Sequence, residues 1–201
     1  MNIIAYPIGD SLYLNLTNRC TNACTFCVRT TTDNGMGYDL WIDKEPTVEQ
    51  MVSDIKAKGV ENYKELVLCG YGEPTERFDD MIETVRLIKE YCPIKVRLNT
   101  NGHANLIAGK DVTEKMQGMI DIVSISLNAP DAKKYQKICN CQFGEEGFYA
   151  MLDFAKKAKD YVPEVVFSVV DVMDKEDIEQ CNRIADDIGV KFRVRELITT
   201  D

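Results

Sequence analysis

Three cysteines lie close together near the start of the sequence, at Cys20, Cys24 and Cys27, with three and then two residues between them. Thiolates are the ligands through which proteins hold zinc and iron–sulfur clusters. A structural zinc site takes four ligands, usually as paired Cys-x-x-Cys motifs, and the other five cysteines form no second pair of that kind. Three thiolates suit a four-iron cluster with one iron left open for a ligand from outside the protein. Such an open position lets a metal centre act on a substrate.

Strands and helices alternate along the chain and must position this cysteine group. Strand-like patterns cover residues 11–17, 65–69, 94–99, 121–128, 164–170 and 191–197. Helical patterns cover residues 47–58, 77–91, 112–119, 145–160 and 175–188. Six strands separated by helices predict a parallel sheet with right-handed crossovers.

Several of these strands alternate strictly between apolar and polar residues, although a parallel sheet covered on both faces is apolar throughout. The polar face carries these basic residues: Lys95, Arg97, Lys191, Arg193 and Arg195. Because buried charges need partners, this face is expected to line a wet cavity with an anionic occupant. The sequence therefore predicts an α/β fold, a partial (β/α)6 TIM-like barrel of parallel strands that is open on one side. An open sheet with one solvated face is the alternative.

The 201 residues are expected to form a single domain, 1–201, in which residues 28–46 make a long loop beside the cysteines. Gly35 and Gly37 are expected to let this loop move, and Trp41 to pack on a substrate or partner. A surface loop anchored by its one tryptophan is the alternative.

The net charge of −9 disfavours nucleic-acid binding, because an acidic surface repels phosphate backbones. The N-terminus has neither the basic nor the apolar part of a signal peptide, and no run is long enough to span a bilayer. With eight cysteines and no export signal, the thiols are expected to be metal ligands or catalytic groups in the cytoplasm.

The segment "NRCTNACTFCVR" resembles the signature of the radical S-adenosylmethionine (radical SAM) superfamily, in which an aromatic residue precedes the last of three cysteines. The match comprises Cys20, Cys24, Phe26 and Cys27, and it follows the first predicted strand. More narrowly, the chain is similar to the small TatD-associated radical SAM proteins. That similarity rests on "LYLNLTNRCTNACTFCVR", "SLNAPD" followed by Tyr135, "FG" at 143–144 and "FRVRE".

The resemblance implies a 4Fe–4S cluster held by the three cysteines and S-adenosylmethionine (SAM) as the ligand of the open iron. "GYGEP" stands where the family has a Gly-Gly-Glu segment that holds the methionine ammonium, and Tyr71 replaces its first glycine. The other implied contacts are polar residues at strand ends. The full set of implied SAM-binding residues is Phe26, Tyr71, Gly72, Glu73, Thr100, Asn101, Ser126, Asn128 and Arg195. Turn chemistry is the alternative for the asparagines.

The residues that would act on the substrate are not identified by the pattern. Weak candidates are Cys139, Cys141 and Arg29, and His103 lies in a turn that is either exposed or faces the site. The remaining cysteines, Cys69, Cys92 and Cys181, are expected to be small core residues.

The resemblance implies reductive cleavage of SAM to a 5′-deoxyadenosyl radical, which abstracts hydrogen from an unknown small molecule or peptide. It also implies an electron donor such as flavodoxin or ferredoxin. Three alternatives stay open: an activating enzyme for a glycyl radical protein, RNA modification, and a non-catalytic iron–sulfur electron-transfer protein.

Overall fold

The structure, a computed structural model, describes residues 2–31 and 37–196 of the chain. These residues form one seven-stranded sheet in which the strands lie side by side in chain order. The strands are β1 (Ala5–Ile8), β2 (Ser11–Leu14), β3 (Glu65–Leu68), β4 (Lys95–Thr100), β5 (Ile122–Ser126), β6 (Glu164–Val170) and β7 (Lys191–Arg195). β1 and β2 form an antiparallel hairpin, and each pair from β2 to β7 is parallel.

The helices cover one face of this sheet. They are α1 (Val28–Thr31), α2 (Val48–Ala57), α3 (Phe78–Tyr91), α4 (Ala104–Ala108), α5 (Ala132–Cys139), α6 (Glu146–Ala158) and α7 (Lys175–Ile188). Short 3₁₀ turns lie at Val60–Asn62, Pro74–Arg77 and Thr113–Met116. The predicted α/β partial barrel is confirmed: six parallel strands form an open sheet, and β1 does not pair with β7.

The structure differs from the sequence-based prediction at β1, at residues 112–119 and at the helices α1, α4 and α5, which were not predicted. β1 was not predicted because it is short and contains Pro7, which an edge strand tolerates. Residues 112–119 form a 3₁₀ turn rather than a helix. α5 was not predicted either, although Asp131 caps it by accepting a hydrogen bond from the Lys134 backbone N–H.

The two faces of the sheet differ as the alternation predicts. Leucines, valines and isoleucines at every second strand position pack under the helices in one large core. We call the opposite face, which carries Tyr13, Arg97, Ser124, Ser168 and Arg193, the inner face. Its polar side chains project into the space that the strands curve around.

Part of the predicted long loop is packed in place. Leu40 is buried with Tyr6 and Tyr71 in a small second core on the inner side of the sheet. The Leu40 carbonyl accepts a hydrogen bond of 2.7 Å from Asn15 Nδ2. Asn18 bonds the backbone of Ile42 in both directions, so residues 38–42 are held against β2. Gly35 lies outside the described residues.

Within the described part of the chain, every helix is too short or too polar to cross a lipid bilayer.

Candidate cluster and cofactor site

The cysteine loop follows β2 at the carboxyl edge of the parallel strands. The end of α5 supports it, because the Ala23 and Thr25 N–H groups donate to the carbonyls of Cys139 (2.9 Å) and Ile138 (3.0 Å). Ligands of open α/β sheets bind outside the carboxyl ends of the strands. The loop therefore lies where the fold places functional groups.

Arg29 is the cation nearest the three thiols. Its guanidinium donates to the carbonyls of Asn18 and Asn22, which holds it against the loop. Burial raises the pKa of Cys20 to about 12 and raises that of Cys27, and Arg29 opposes both shifts. Arg29 thus favours thiolates, and its hydrogen bonds place it against the backbone of the cysteine loop.

Cys24 has a thiol partner that sequence spacing did not reveal. A hydrogen bond from the Cys139 thiol, together with Arg29, lowers the pKa of Cys24 despite burial. The same bond and burial raise the pKa of Cys139, so Cys139 is the donor of the pair. Cys139 is fully buried.

A chain of hydrogen bonds connects the cysteine loop to the residues after β4. Asn101 Nδ2 donates to Thr21 Oγ1 at 2.7 Å, and Thr21 Oγ1 lies 2.8 Å from His103 Nδ1. His103 Nε2 lies 3.1 Å from the Gly147 carbonyl oxygen, which can only accept, so Nε2 carries the proton and Nδ1 accepts from Thr21. Burial lowers the pKa of His103 to about 4. His103 is therefore a neutral, fully buried residue that supports the cysteine loop, so the alternative that it is an exposed turn residue is wrong.

Glu73 is committed to hydrogen bonds within the protein. Its Oε1 accepts from the Thr75 N–H, the Thr75 hydroxyl and the Thr100 hydroxyl, at 3.1, 2.8 and 2.7 Å. Its Oε2 accepts from the Asn101 N–H at 2.7 Å. Burial raises the pKa of Glu73, and these bonds oppose the shift. The carboxylate joins the segment after β3 to the segment after β4, and Thr100 and Asn101 serve the same connection.

The backbone at Gly72 passes close to the chain leading into the cysteine loop. A Cβ at this position would lie 2.2 Å from the Thr17 carbonyl oxygen, so only glycine fits. Next to it, Tyr71 is buried and its ring meets Trp41 edge-on, with centroids 5.3 Å apart. Trp41 itself is 49% exposed.

Unsatisfied polar atoms lie at the ends of β5 and β7. Asn128 is buried in a left-handed backbone conformation (φ 55°), and its Oδ1 has no hydrogen-bond partner. Arg195 Nε is also buried without a partner. Buried polar groups are normally satisfied, so both atoms suit a bound polar ligand. Ser126, the last residue of β5, lies on the inner face in register with Ser168 of β6.

The other sequence candidates lie apart from this edge or within the core. Cys141 is buried against Gly147, whose added Cβ would lie 2.5 Å from its Sγ. Cys181 is a core residue, as predicted. Cys69 differs, because it lies on the inner face, where Asn99 is its hydrogen-bond partner. Phe26 is partly exposed in the turn before Cys27.

Thr21, Tyr135 and Asn22 support the loop but were not identified from the sequence. Asn22 Nδ2 donates to the Tyr135 hydroxyl at 2.9 Å, which ties the loop to α5. Thr21 and Asn22 lie within the cysteine motif, so their position was a usable signal. Tyr135 belongs to the motif that begins with "SLNAPD", although no role was assigned to it from the sequence.

Fold and site together define a class of protein: an open α/β barrel with a three-cysteine loop at the carboxyl edge of its strands. A family model described as the Radical SAM superfamily matches residues 14–188. The chain therefore belongs to the radical SAM superfamily, and that prediction is confirmed. Its narrower similarity to the TatD-associated proteins stays a prediction. No curated protein matches the sequence.

Solved structures share the fold. A radical SAM methyltransferase from Sphaerobacter thermophilus superposes with a TM-score of 0.67 at 16% identity, over 96% of this chain and 57% of that one. Streptococcus suis SuiB bound to S-adenosylmethionine superposes with a TM-score of 0.62 at 14% identity, over 96% of this chain and 38% of that one. The FeFe-hydrogenase maturase HydG from Carboxydothermus hydrogenoformans superposes with a TM-score of 0.66 at 16% identity, over 93% of this chain and 44% of that one. The chain thus spans 38–57% of these structures' lengths. At 14–16% identity, these likenesses show a shared fold.

Proposed function

We propose that this chain is a radical SAM enzyme in which Cys20, Cys24 and Cys27 hold a 4Fe–4S cluster and the neighbouring strand ends hold SAM. Together these groups supply one-electron reductive cleavage of SAM, which yields a 5′-deoxyadenosyl radical able to remove hydrogen from a substrate. The observation that carries the proposal is the place of the cysteine loop within the matched region, at the carboxyl edge of the parallel strands.

The donor set fits a cluster better than a single ion. Among residues 2–31 and 37–196, no three His, Cys, Asp or Glu side chains converge closely enough to hold one metal ion. A four-iron cluster binds each thiolate to a different iron, so its ligands stand apart. Three thiols in one loop beside the Arg29 guanidinium match that need.

The buried polar atoms without hydrogen-bond partners support the proposal that SAM binds at the same edge of the sheet. Asn128 Oδ1 is a buried acceptor for an N–H or hydroxyl group. Gly72 lets the segment after β3 pack directly against the chain that leads into the cysteine loop, which places Tyr71 and Glu73 beside that loop. Glu73, Thr100 and Asn101 act as positioning residues, since their polar atoms bond one another and the cysteine loop.

An enzyme acting on a small molecule or peptide is favoured over the alternatives. Such an enzyme needs an electron donor such as flavodoxin or ferredoxin. Activation of a glycyl radical protein is less favoured, because the glycine-rich entry to the cysteine loop that is typical of those activases is absent from the sequence. A non-catalytic electron-transfer protein has no use for the unsatisfied Asn128 acceptor.

The test is anaerobic reconstitution of the full chain with iron and sulfide, followed by SAM and dithionite and detection of 5′-deoxyadenosine by mass spectrometry. We expect the product from the wild type and none from the Cys20→Ala, Cys24→Ala or Cys27→Ala variants. Cys92→Ala is the matched control, because Cys92 follows α3 at the opposite edge of the sheet.

Two results would contradict the proposal. One is 5′-deoxyadenosine from a variant that lacks all three cysteines. The other is a cluster that assembles in the wild type without binding or cleaving SAM, which would favour electron transfer.

A further inference from the structure

The inner face concentrates positive charge in a protein whose net charge is −9. Its basic side chains come from β4 and β7, and its two carboxylates, Glu65 and Glu164, stand at the amino-terminal ends of β3 and β6. The basic side chains are Lys95, Arg97, Lys191, Arg193 and Arg195. Positive charge therefore exceeds negative charge on this face.

The two carboxylates neutralise the lower part of the face. Arg97 Nη2 lies 2.6 Å from Glu65 Oε1, with both side chains mostly buried. Lys191 Nζ lies 2.5 Å from Glu164 Oε2. Both inner-face carboxylates of the described residues are therefore already paired, and neither pairs with the arginines near the carboxyl end of β7.

Arg193 and Arg195 are left without an acidic partner among the described residues. Neither side chain forms an ion pair or a hydrogen bond within residues 2–31 and 37–196, and Arg195 Nε is buried with no acceptor. Burial lowers the pKa of Arg195, and the nearby Arg193 and Arg97 guanidiniums lower it further. A buried donor without an acceptor and clustered like charges both cost free energy, which an anion in contact with them removes.

The space beside Arg193 can hold a small ligand. A cavity of about 400 Å³ lies on the inner face and is lined by both lower ion pairs, Ser124 and Arg193. Arg195 is not part of this lining and lies two residues further along the same face of β7. Higher up the face, Ser168 is in register with Ser126 on one side and Arg193 on the other. Small-molecule sites span ~300–1,000 Å³, so this volume suits a compact molecule and is too small for a polynucleotide.

We propose that Arg193 and Arg195 bind the anionic group, a carboxylate or a phosphate, of a small-molecule substrate held on the inner face. Guanidinium groups bind both anions through paired hydrogen bonds, and the serines offer hydroxyls to the body of the molecule. Calling this molecule the substrate rests on the proposed function, whereas the anion site itself does not. Arg195 then serves the substrate, whereas the family resemblance had implied a contact with SAM.

The test is NMR of the full chain labelled with ¹⁵N-arginine, reconstituted with its cluster and SAM but without reductant. Inorganic phosphate and acetate are titrated separately at constant ionic strength, and the Nε–H signals of the arginines are followed. We expect a saturable shift at Arg195 and none at Arg183, which is exposed on α7. Arg193→Gln should weaken the apparent affinity at least five-fold, and the matched Arg183→Gln should leave it unchanged.

Comparing the two anions identifies the anionic group of the substrate. Tighter binding of phosphate indicates a phosphorylated substrate, and tighter binding of acetate indicates a carboxylic acid. The proposal is overturned if the Arg195 signal does not saturate, or if Arg193→Gln binds as the wild type does. It is also overturned if binding occurs without SAM but is lost with SAM, because the arginines would then hold the SAM carboxylate.

The same titration on the full chain without cluster or SAM separates this proposal from the proposed function. Saturable anion binding without any 5′-deoxyadenosine formation contradicts only the proposed function. Formation of 5′-deoxyadenosine without saturable anion binding contradicts only the anion site.

Discussion

At the scale of single residues, the environment of His103 decides its role. The side chain is fully buried and both ring nitrogens have fixed partners, Thr21 on one side and Gly147 on the other. This arrangement fits the neutral imidazole with its proton on Nε2, because burial disfavours the charged ring and Nδ1 then accepts from the Thr21 hydroxyl. A histidine after a strand is often a candidate acid or base, yet here it supports the cysteine loop.

The protein should become less stable as the pH is lowered, because of this histidine, the only one in the chain. Its pKa is about 4 in the folded state and ~6.5 in the unfolded state, so between these values the unfolded state binds more protons. The contribution of the neutral His103 to the free energy of unfolding is complete above pH 6.5 and declines as the pH falls towards 4. From pH 7.5 to 5.5 we expect a loss of about 1 kcal/mol.

The measurement is urea unfolding of the metal-free full chain at pH 7.5 and 5.5, both above the isoelectric point of about 4.8. The His103→Asn variant is the reference, since it lacks the titrating group. If wild type and variant lost equal stability between the two pH values, the buried neutral imidazole would be the wrong assignment.

At the scale of elements, the site depends on connections between loops that follow different strands. Glu73 joins the turn after β3 to the segment after β4, and Asn101 joins that segment to the loop after β2. Three strand ends are thus fixed relative to one another. A cofactor bound across them meets groups that are already ordered, which lowers the entropy cost of binding.

Glu73→Gln should therefore weaken both the fold and SAM binding. The amide replaces one acceptor oxygen by an NH₂ group that faces other donors, so we expect a loss of about 2 kcal/mol in the free energy of unfolding. Urea unfolding of the full chain at pH 7.5 measures it, and SAM binding is followed by calorimetry on the reconstituted protein. Glu83→Gln, on the solvent side of α3, is the control. Equal stability of the two variants would show that the Glu73 bonds contribute little.

At the scale of the whole molecule, charge is unevenly distributed. The chain is acidic overall, while basic residues gather on the inner face around a cavity of about 400 Å³. Electrostatic attraction of a polyanion depends on the exposed surface, so this arrangement favours small anions over nucleic acid.

We expect no salt-dependent binding of a fluorescently labelled single-stranded RNA to the full chain between 50 and 200 mM salt, measured by anisotropy. A protein making many phosphate contacts loses ~10³-fold or more in affinity over that range. A steep loss of that kind would revive RNA modification as the function.

Much of the fold was predictable because the strands alternate and the helices carry capping signals. The register of inner and outer faces follows directly from the period of two in strands such as β4 and β5. The N-terminal hairpin was missed because β1 has four residues and one is Pro7, which weakens any strand pattern. α5 was missed because lysines interrupt its apolar pattern, although Asp131 was a visible cap.

The sequence by itself determined the family, through a three-cysteine motif in a loop after a strand of a β/α series, and this motif predicts a cluster site. It also determined which strand residues share a face, since alternation follows from backbone geometry. Only the tertiary structure decided which polar groups are already satisfied. Glu73 and His103 are used within the protein, while Asn128 and Arg195 keep atoms without partners. The physical reason is that hydrogen-bond satisfaction depends on neighbours far apart in the chain, and spacing along the sequence carries no information about them.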